Sequence, residues 1–210
     1  MKPTNALDAR QADALTELIN IAFGLTASKL SEISGSRVQI DAPIVGIFPL
    51  EDLAAELGLL EAGDVAAVHQ AFSGSISGDA MLFLDCEGAV RLSNVFVEEN
   101  LRSDHLDATN GEVVTEIGNM LLGACLGVFG NLLEMRISFS VPVLHLESMK
   151  PPLTSLSIVG DERKQAIVIS TSFDIRKQAI AGQLSIAMGA SSLERLIQAV
   201  GVWEGSQCRA

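Results

Sequence analysis

A chain of 210 residues, 48% of them hydrophobic, is long enough to bury a sizeable core in one or two domains. With 26 acidic against 14 basic residues the formal net charge is −12, which speaks against nucleic acid or an anionic membrane as partner, since both demand clustered Lys and Arg. Cys86, Cys125 and Cys208 are odd in number and lack C-x-x-C spacing, so neither a disulfide framework nor a zinc site is expected.

The N-terminal stretch Met-Lys-Pro-Thr-Asn-Ala-Leu-Asp has no apolar core of the signal-peptide kind, and a cytoplasmic location is expected. A first helix is predicted from between Thr4 and Asp8 to about Ser34, where Ser-Gly-Ser stops it. Leu15, Leu18, Ala22 and Leu25 form its apolar stripe, widened by Ile19 and Phe23, while Asp13, Glu17, Asn20 and Gly24 occupy another face. Residues 37–48 alternate as a strand with Pro43 early in it, and residues 50–57 read as a short amphipathic helix. Residues 65–72 and 78–85 read as a strand pair joined by Ser73-Gly-Ser-Ile-Ser-Gly, a turn that lacks the Lys of a phosphate-binding loop. A helix over 87–97 follows, and the polar segment 98–110 forms a joint.

Thr109 with Glu112 reads as a capping box opening a second long helix, in which Val113, Ile117, Leu121 and Ala124 repeat the apolar stripe. The apolar run 117–133 approaches membrane-spanning length, but Asn119 and Asn131 interrupt it and Glu116 precedes it, so a buried helix is expected. Gly123-x-x-x-Gly127 suggests close packing against the matching helix of the first half. Strands over 136–146, with Pro142, over 166–173 and over 179–188 precede a closing helix over 190–200. His69, His105 and His145 share no metal-ligand spacing and read as ordinary strand and loop residues.

The two halves repeat each other. Asp13-x-x-x-Glu17-x-x-Asn20 is followed by Pro43, and Glu112-x-x-x-Glu116-x-x-Asn119 by Pro142, with 22 residues between Asn and Pro in both cases and 99 between the copies. Positions i, i+4 and i+7 share one helix face, so each half displays a carboxylate beside a carboxamide. Gly24 and Gly123 follow four residues after the Asn, each costing about 1 kcal/mol relative to Ala in a helix interior, which asks for a close approach by another backbone. A lone Glu and Asn on a helix would be a solvated surface; retention of the pair in both halves argues for use. The expected fold is of mixed α/β (α+β) class with pseudo-two-fold symmetry: one domain of two repeats, about 1–104 and 105–210, each a long motif helix, antiparallel strands and a closing helix.

The doubled pattern [Asp/Ser]-x3-Glu-x2-Asn-x22-Pro resembles the CheC/CheX/FliY family of phosphatases acting on the phosphorylated response regulator CheY, over essentially the whole chain and with the two motifs of its CheC-type members. The resemblance implies a CheC-like fold and an enzyme that brings no nucleophile of its own but inserts its motif helix into the regulator. It assigns Glu17 and Glu116 to the regulator's active-site lysine, and Asn20 and Asn119 to the attacking water. Asp13, Gly24 and Gly123 then belong to the partner-binding face. Glu112 departs from the Asp or Ser of the pattern. No cofactor is implied on this chain; Mg2+ is expected on the regulator. The alternative is a regulatory module that binds the phosphorylated regulator or a CheD-type receptor deamidase without hydrolysis. A glycosidase-like use of paired carboxylates fails, because Asp13 and Glu17 sit on one helix turn and only 4% of residues are aromatic.

Overall fold

Asp8 opens the first helix, α1 (Ala9–Ser34): its carboxylate accepts from the Gln11 N–H while the Gln11 side chain accepts from the Asp8 N–H. Gly35, in the left-handed region at φ 59°, ends it. The computed structural model describes residues 8–57, 64–148, 164–175 and 178–207. The stripe buried by α1 runs Leu15, Leu18, Ile19, Ala22, Phe23, Thr26 and Leu30, whereas Leu25, expected in the stripe, is 63% exposed. At 100° per residue Leu25 falls at the edge of the stripe, about 20° from Leu18 but about 100° from Thr26 at its centre.

The segment 37–48 breaks into β1 (Val38–Ile40) and β2 (Ile44–Pro49), with a short helical turn and α2 (Leu53–Glu56) after it. Pro43 therefore sits between two strands rather than within one, where its missing N–H interrupts no ladder. β3 (Asp64–Gly74) and β4 (Gly78–Asp85) form the expected hairpin, and α3 (Cys86–Asn94) follows.

The second long helix, α4 (Ala108–Leu132), is capped not by Thr109 but by Asp107, whose carboxylate accepts from the Asn110 N–H. The capping box of Thr109 with Glu112 is thus not formed, since an Asp two residues upstream takes the cap, and Glu112 stands exposed on the motif face. β5 (Ile137–Phe139) and β6 (Val143–Ser148), split at Pro142 as the first half is at Pro43, precede β7 (Lys164–Ile175), β8 (Gln178–Gly189) and α5 (Ala190–Gln207).

Among the described residues eight strands join one sheet in the order β1-β7-β8-β4-β3-β5, with β2 also on β7 and β6 also on β3. The halves are interleaved, because β1 and β2 of the first pair with β7 of the second, and β5 and β6 of the second pair with β3 of the first. The registers match: Val38 faces Ile175 as Ile137 faces Gly74, and Ile44 faces Ser170 as Val143 faces His69. α1 and α4 pack on each other and on one face of the sheet, enclosing the main core with Val68, Leu82, Ile169 and Leu184. The opposite face carries a smaller core of Ala67, Met81, Phe83 and Val168 under Leu53 and Leu57.

By length and composition α4 could cross a membrane, yet half of its most apolar window is buried inside the fold. The expected close helix packing at Gly123 and Gly127 is not found: a Cβ at either would meet nothing within 4 Å. The glycine that brings α4 close is Gly118, where a Cβ would stand 2.7 Å from the Val68 side chain of β3.

Candidate functional site

Helical spacing places Asp13, Glu17, Asn20 and Gly24 on the side of α1 turned away from the sheet. Asp13, Glu17 and Gly24 are exposed and Asn20 is half-buried. On α4, Glu112 and Glu116 are exposed, and Asn119 and Gly123 half-buried, so the pattern repeats along the second helix. Among the described residues neither Glu17 nor Glu116 has a hydrogen bond or ion pair. Each carboxylate is thus held on a long helix, exposed to solvent. A Cβ at Gly24 would likewise meet nothing within 4 Å, so close packing within this protein is not the reason for glycine there.

Around the second motif the two helices form an open cleft of about 320 Å3. Glu116, Asn119 and Gly123 line it from α4, and Leu25 and Lys29 from α1. Lys29 was not singled out from the sequence, and Leu25 was expected in the buried stripe. Lys29 is a cation in a chain of net charge −12, and the position matching it on α4 is Val128, so the two motif faces have unlike neighbours.

The two carboxamides also differ. Asn119 Oδ1 accepts a hydrogen bond of 3.2 Å from Nε2 of Gln70 on β3, and the same Nε2 donates to the Ser140 carbonyl at 2.9 Å. Asn20 has no side-chain hydrogen bond among the described residues. Gln70 was also missed from the sequence, although a signal was present: strand alternation puts it on the core face with Ala66, Val68 and Phe72, where a carboxamide is out of place.

The histidines are less scattered than their sequence spacing suggests. On the far face of the sheet His69 and His145 lie with ring centroids 5.9 Å apart, and His69 Nε2 is 2.8 Å from the fully buried Asp79 carboxylate. Among the described residues no group of three His, Cys, Asp or Glu could hold a metal ion. His105 is an exposed loop residue whose pKa is raised by its hydrogen bond to Asp104.

The fold and its paired faces define a class, a duplicated α/β protein that offers a Glu/Asn helix face once per half. No family model matches the chain. The CheY-P phosphatase CheC of Bacillus subtilis is 27% identical over 209 residues, covering 94% of this chain and 97% of that relative. The crystal structure of Thermotoga maritima FliY superposes with a TM-score of 0.74 at 18% identity, over 94% of this chain and 99% of that one. The FliM middle domain from H. pylori superposes with a TM-score of 0.62 at 12% identity, over 92% and 99%. The chain is thus similar over nearly its whole length to a CheC-type protein, and its fold is that of FliY.

Proposed function

We propose that this protein hydrolyses the aspartyl phosphate of a CheY-type response regulator by inserting a motif helix into the regulator's active site. The observation that carries this reading is the pair of matched faces: a free carboxylate, a half-buried carboxamide and a glycine with open space above it, on α1 and again on α4. The Bacillus subtilis relative bears the name of that activity. Glu17 and Glu116 pair with the regulator's active-site lysine and fix the register of docking. Asn20 and Asn119 hold a water in line with the phosphorus. As its oxygen bonds to phosphorus, the bond to the aspartate oxygen breaks, releasing inorganic phosphate and restoring the carboxylate. Positioning and charge stabilisation are most of what phosphoryl transfer asks of a protein, and a neutral amide serves better than a second carboxylate, which would repel the phosphoryl group. Asp13, Gly24 and Gly123 complete the docking faces. Mg2+ belongs to the regulator in this scheme.

The FliM middle domain shares the fold at 12% identity, and a shared fold does not by itself assign an activity. A second reading is binding without turnover, to the regulator or to a CheD-type deamidase. Phosphate release from a phosphorylated CheY-type regulator, with and without this protein, separates the two. Acceleration that disappears in the Asn20→Ala, Asn119→Ala double variant while the regulator still binds supports the phosphatase. Undiminished release by that variant removes the assigned mechanism, and binding by wild type without acceleration selects the second reading.

A further inference from the structure

The registers identify counterparts across the two halves. Ser140 N–H donates to the Ala71 carbonyl at 2.9 Å, and Asp41 N–H to the Ser172 carbonyl at 2.9 Å, so Ser140 matches Asp41 and Ala71 matches Ser172. Gln70 and Thr171, the preceding residues, are therefore counterparts. Both bond the same backbone group: Gln70 Nε2 donates to the Ser140 carbonyl and Thr171 Oγ1 to the Asp41 carbonyl, each at 2.9 Å. A threonine hydroxyl has one hydrogen, which that bond consumes. The glutamine amide has two, and its second goes to Asn119 Oδ1.

Chemistry fixes the orientation of this network. Ser140 offers a carbonyl, so the atom of Gln70 facing it must be nitrogen. The other hydrogen of that nitrogen needs an acceptor, so Asn119 must turn its oxygen inward. Gln70 is 3% exposed, and its Oε1 is buried without a partner among the described residues, a cost accepted while both donors stay aimed at Ser140 and Asn119. Asn119 keeps the second lone pair of Oδ1 and both Nδ2 hydrogens for whatever enters the cleft. The approach that allows this contact comes from Gly118, seated against Val68, two residues from Gln70 on the same strand face. Its counterpart on α1 is the fully buried Ile19.

We propose that Gln70 is a positioning residue for Asn119, so that the second motif face is held in one rotamer before the regulator arrives and the first is not. The inference rests on the phosphatase reading above. A side chain already ordered loses no rotamer freedom when the water and phosphoryl group are bound, so the advantage falls on turnover rather than on docking.

The test is single-turnover phosphate release from a phosphorylated CheY-type regulator in two backgrounds, Asn20→Ala, which leaves only the second face, and Asn119→Ala, which leaves only the first. Gln70→Met keeps the side-chain length and removes both donors. In the first background it is expected to lower the maximal rate roughly tenfold with the half-saturating concentration little changed, because a misplaced group costs rate before affinity. In the second background no further loss is expected. An unchanged rate in both backgrounds, or an equal fall in both, overturns the proposal, the latter because it marks a general loss of structure. Thr171→Gln in the Asn119→Ala background supplies the missing donor to the first face, and a raised rate there adds support.

A readout independent of activity is the nitrogen-correlated NMR spectrum of the free protein, where Gln70→Met should shift and broaden the Asn119 side-chain amide pair and leave that of Asn20 in place. An unmoved Asn119 pair also overturns the proposal. Failure of wild type to accelerate release in any background would instead overturn the phosphatase reading, while the spectrum still reports on the contact.

Discussion

Leu82 of β4 and Leu184 of β8 face each other across the central strand pair, both fully buried, and are a residue opposite its own counterpart from the other half. The counterpart relation follows from the hairpins, in which Phe72 faces Gly78 as Phe173 faces Ile180. The symmetry axis of the sheet passes through this pair, beneath the two motif helices. Leu184→Ala is expected to lower stability by about 2–5 kcal/mol, the range for truncating a well-packed leucine. Urea unfolding followed by circular dichroism measures it, and a loss below 1 kcal/mol would mean the centre of the sheet can collapse around the gap.

The half-sites should act separately, because variants without shared partners are close to additive. Asn20→Ala is expected to retain the larger share of phosphate release and Asn119→Ala the smaller, with the ratio roughly two- to tenfold if preorientation is the difference. Abolition of release by either single change would mean one composite site built from both helices.

Glu17→Gln combined with Glu116→Gln should weaken regulator binding more than the paired Asn→Ala changes do. A buried lysine on the partner would be left unpaired, at a cost of about 2–5 kcal/mol, or roughly 30-fold or more in affinity. Titration calorimetry checks this, and an unaltered dissociation constant removes the ion pair from the docking scheme.

The glycines divide into opposite signs. Gly24→Ala and Gly123→Ala have room for the methyl group and should each stabilise the free protein by about 0.5–1 kcal/mol while weakening regulator binding. Gly118→Ala, whose Cβ would stand 2.7 Å from Val68, should destabilise by about 1–3 kcal/mol. Chemical denaturation of the three variants tests the order; a stable Gly118→Ala would show that α4 can slide off β3 freely.

Burial raises the Cys125 thiol from 9.0 to about 12. Its pKa is higher folded than unfolded, so the stability it contributes is fully present below pH 9 and is lost as pH climbs from about 9 towards 12. At pH 8 the folded protein should leave Cys125 unreacted with a thiol reagent and expose it in urea; rapid labelling of Cys125 without denaturant would contradict its burial.

Local features were readable from the chain. The Asp8 cap region, the Ser73–Ser77 hairpin turn and the shared helix face of Glu17 and Asn20 depend on residues within a few positions of one another, and periodicity or turn chemistry reveals them. Leu25 and Thr109 misled because one apolar residue at a stripe's edge, or one hydroxyl near a helix start, has a close competitor: Thr26 takes the core position and Asp107 takes the cap. The pairing of β1 with β7 and β5 with β3 was illegible, since a repeat fixes what the two halves share but not which half a strand joins. The contact of Gln70 with Asn119 spans 49 residues and depends on Gly118, a residue whose use is visible only once Val68 lies beneath it.

Interleaving imposes an order on synthesis. Asp41 closes its hydrogen bond with Thr171, 130 residues later in the chain. At ribosomal speeds of about 5–20 residues per second, β1 and β2 wait on the order of ten seconds for the strand they need. For part of that interval the emerging polypeptide holds a β3–β4 hairpin with bare edges, that of β3 covered once β5 and β6 emerge and that of β4 only once β8 does. Hydrophobic segments such as Ile44–Pro49 stay unpaired until nearly the whole message has been read, which makes the nascent chain, rather than the finished protein, the form most exposed to aggregation.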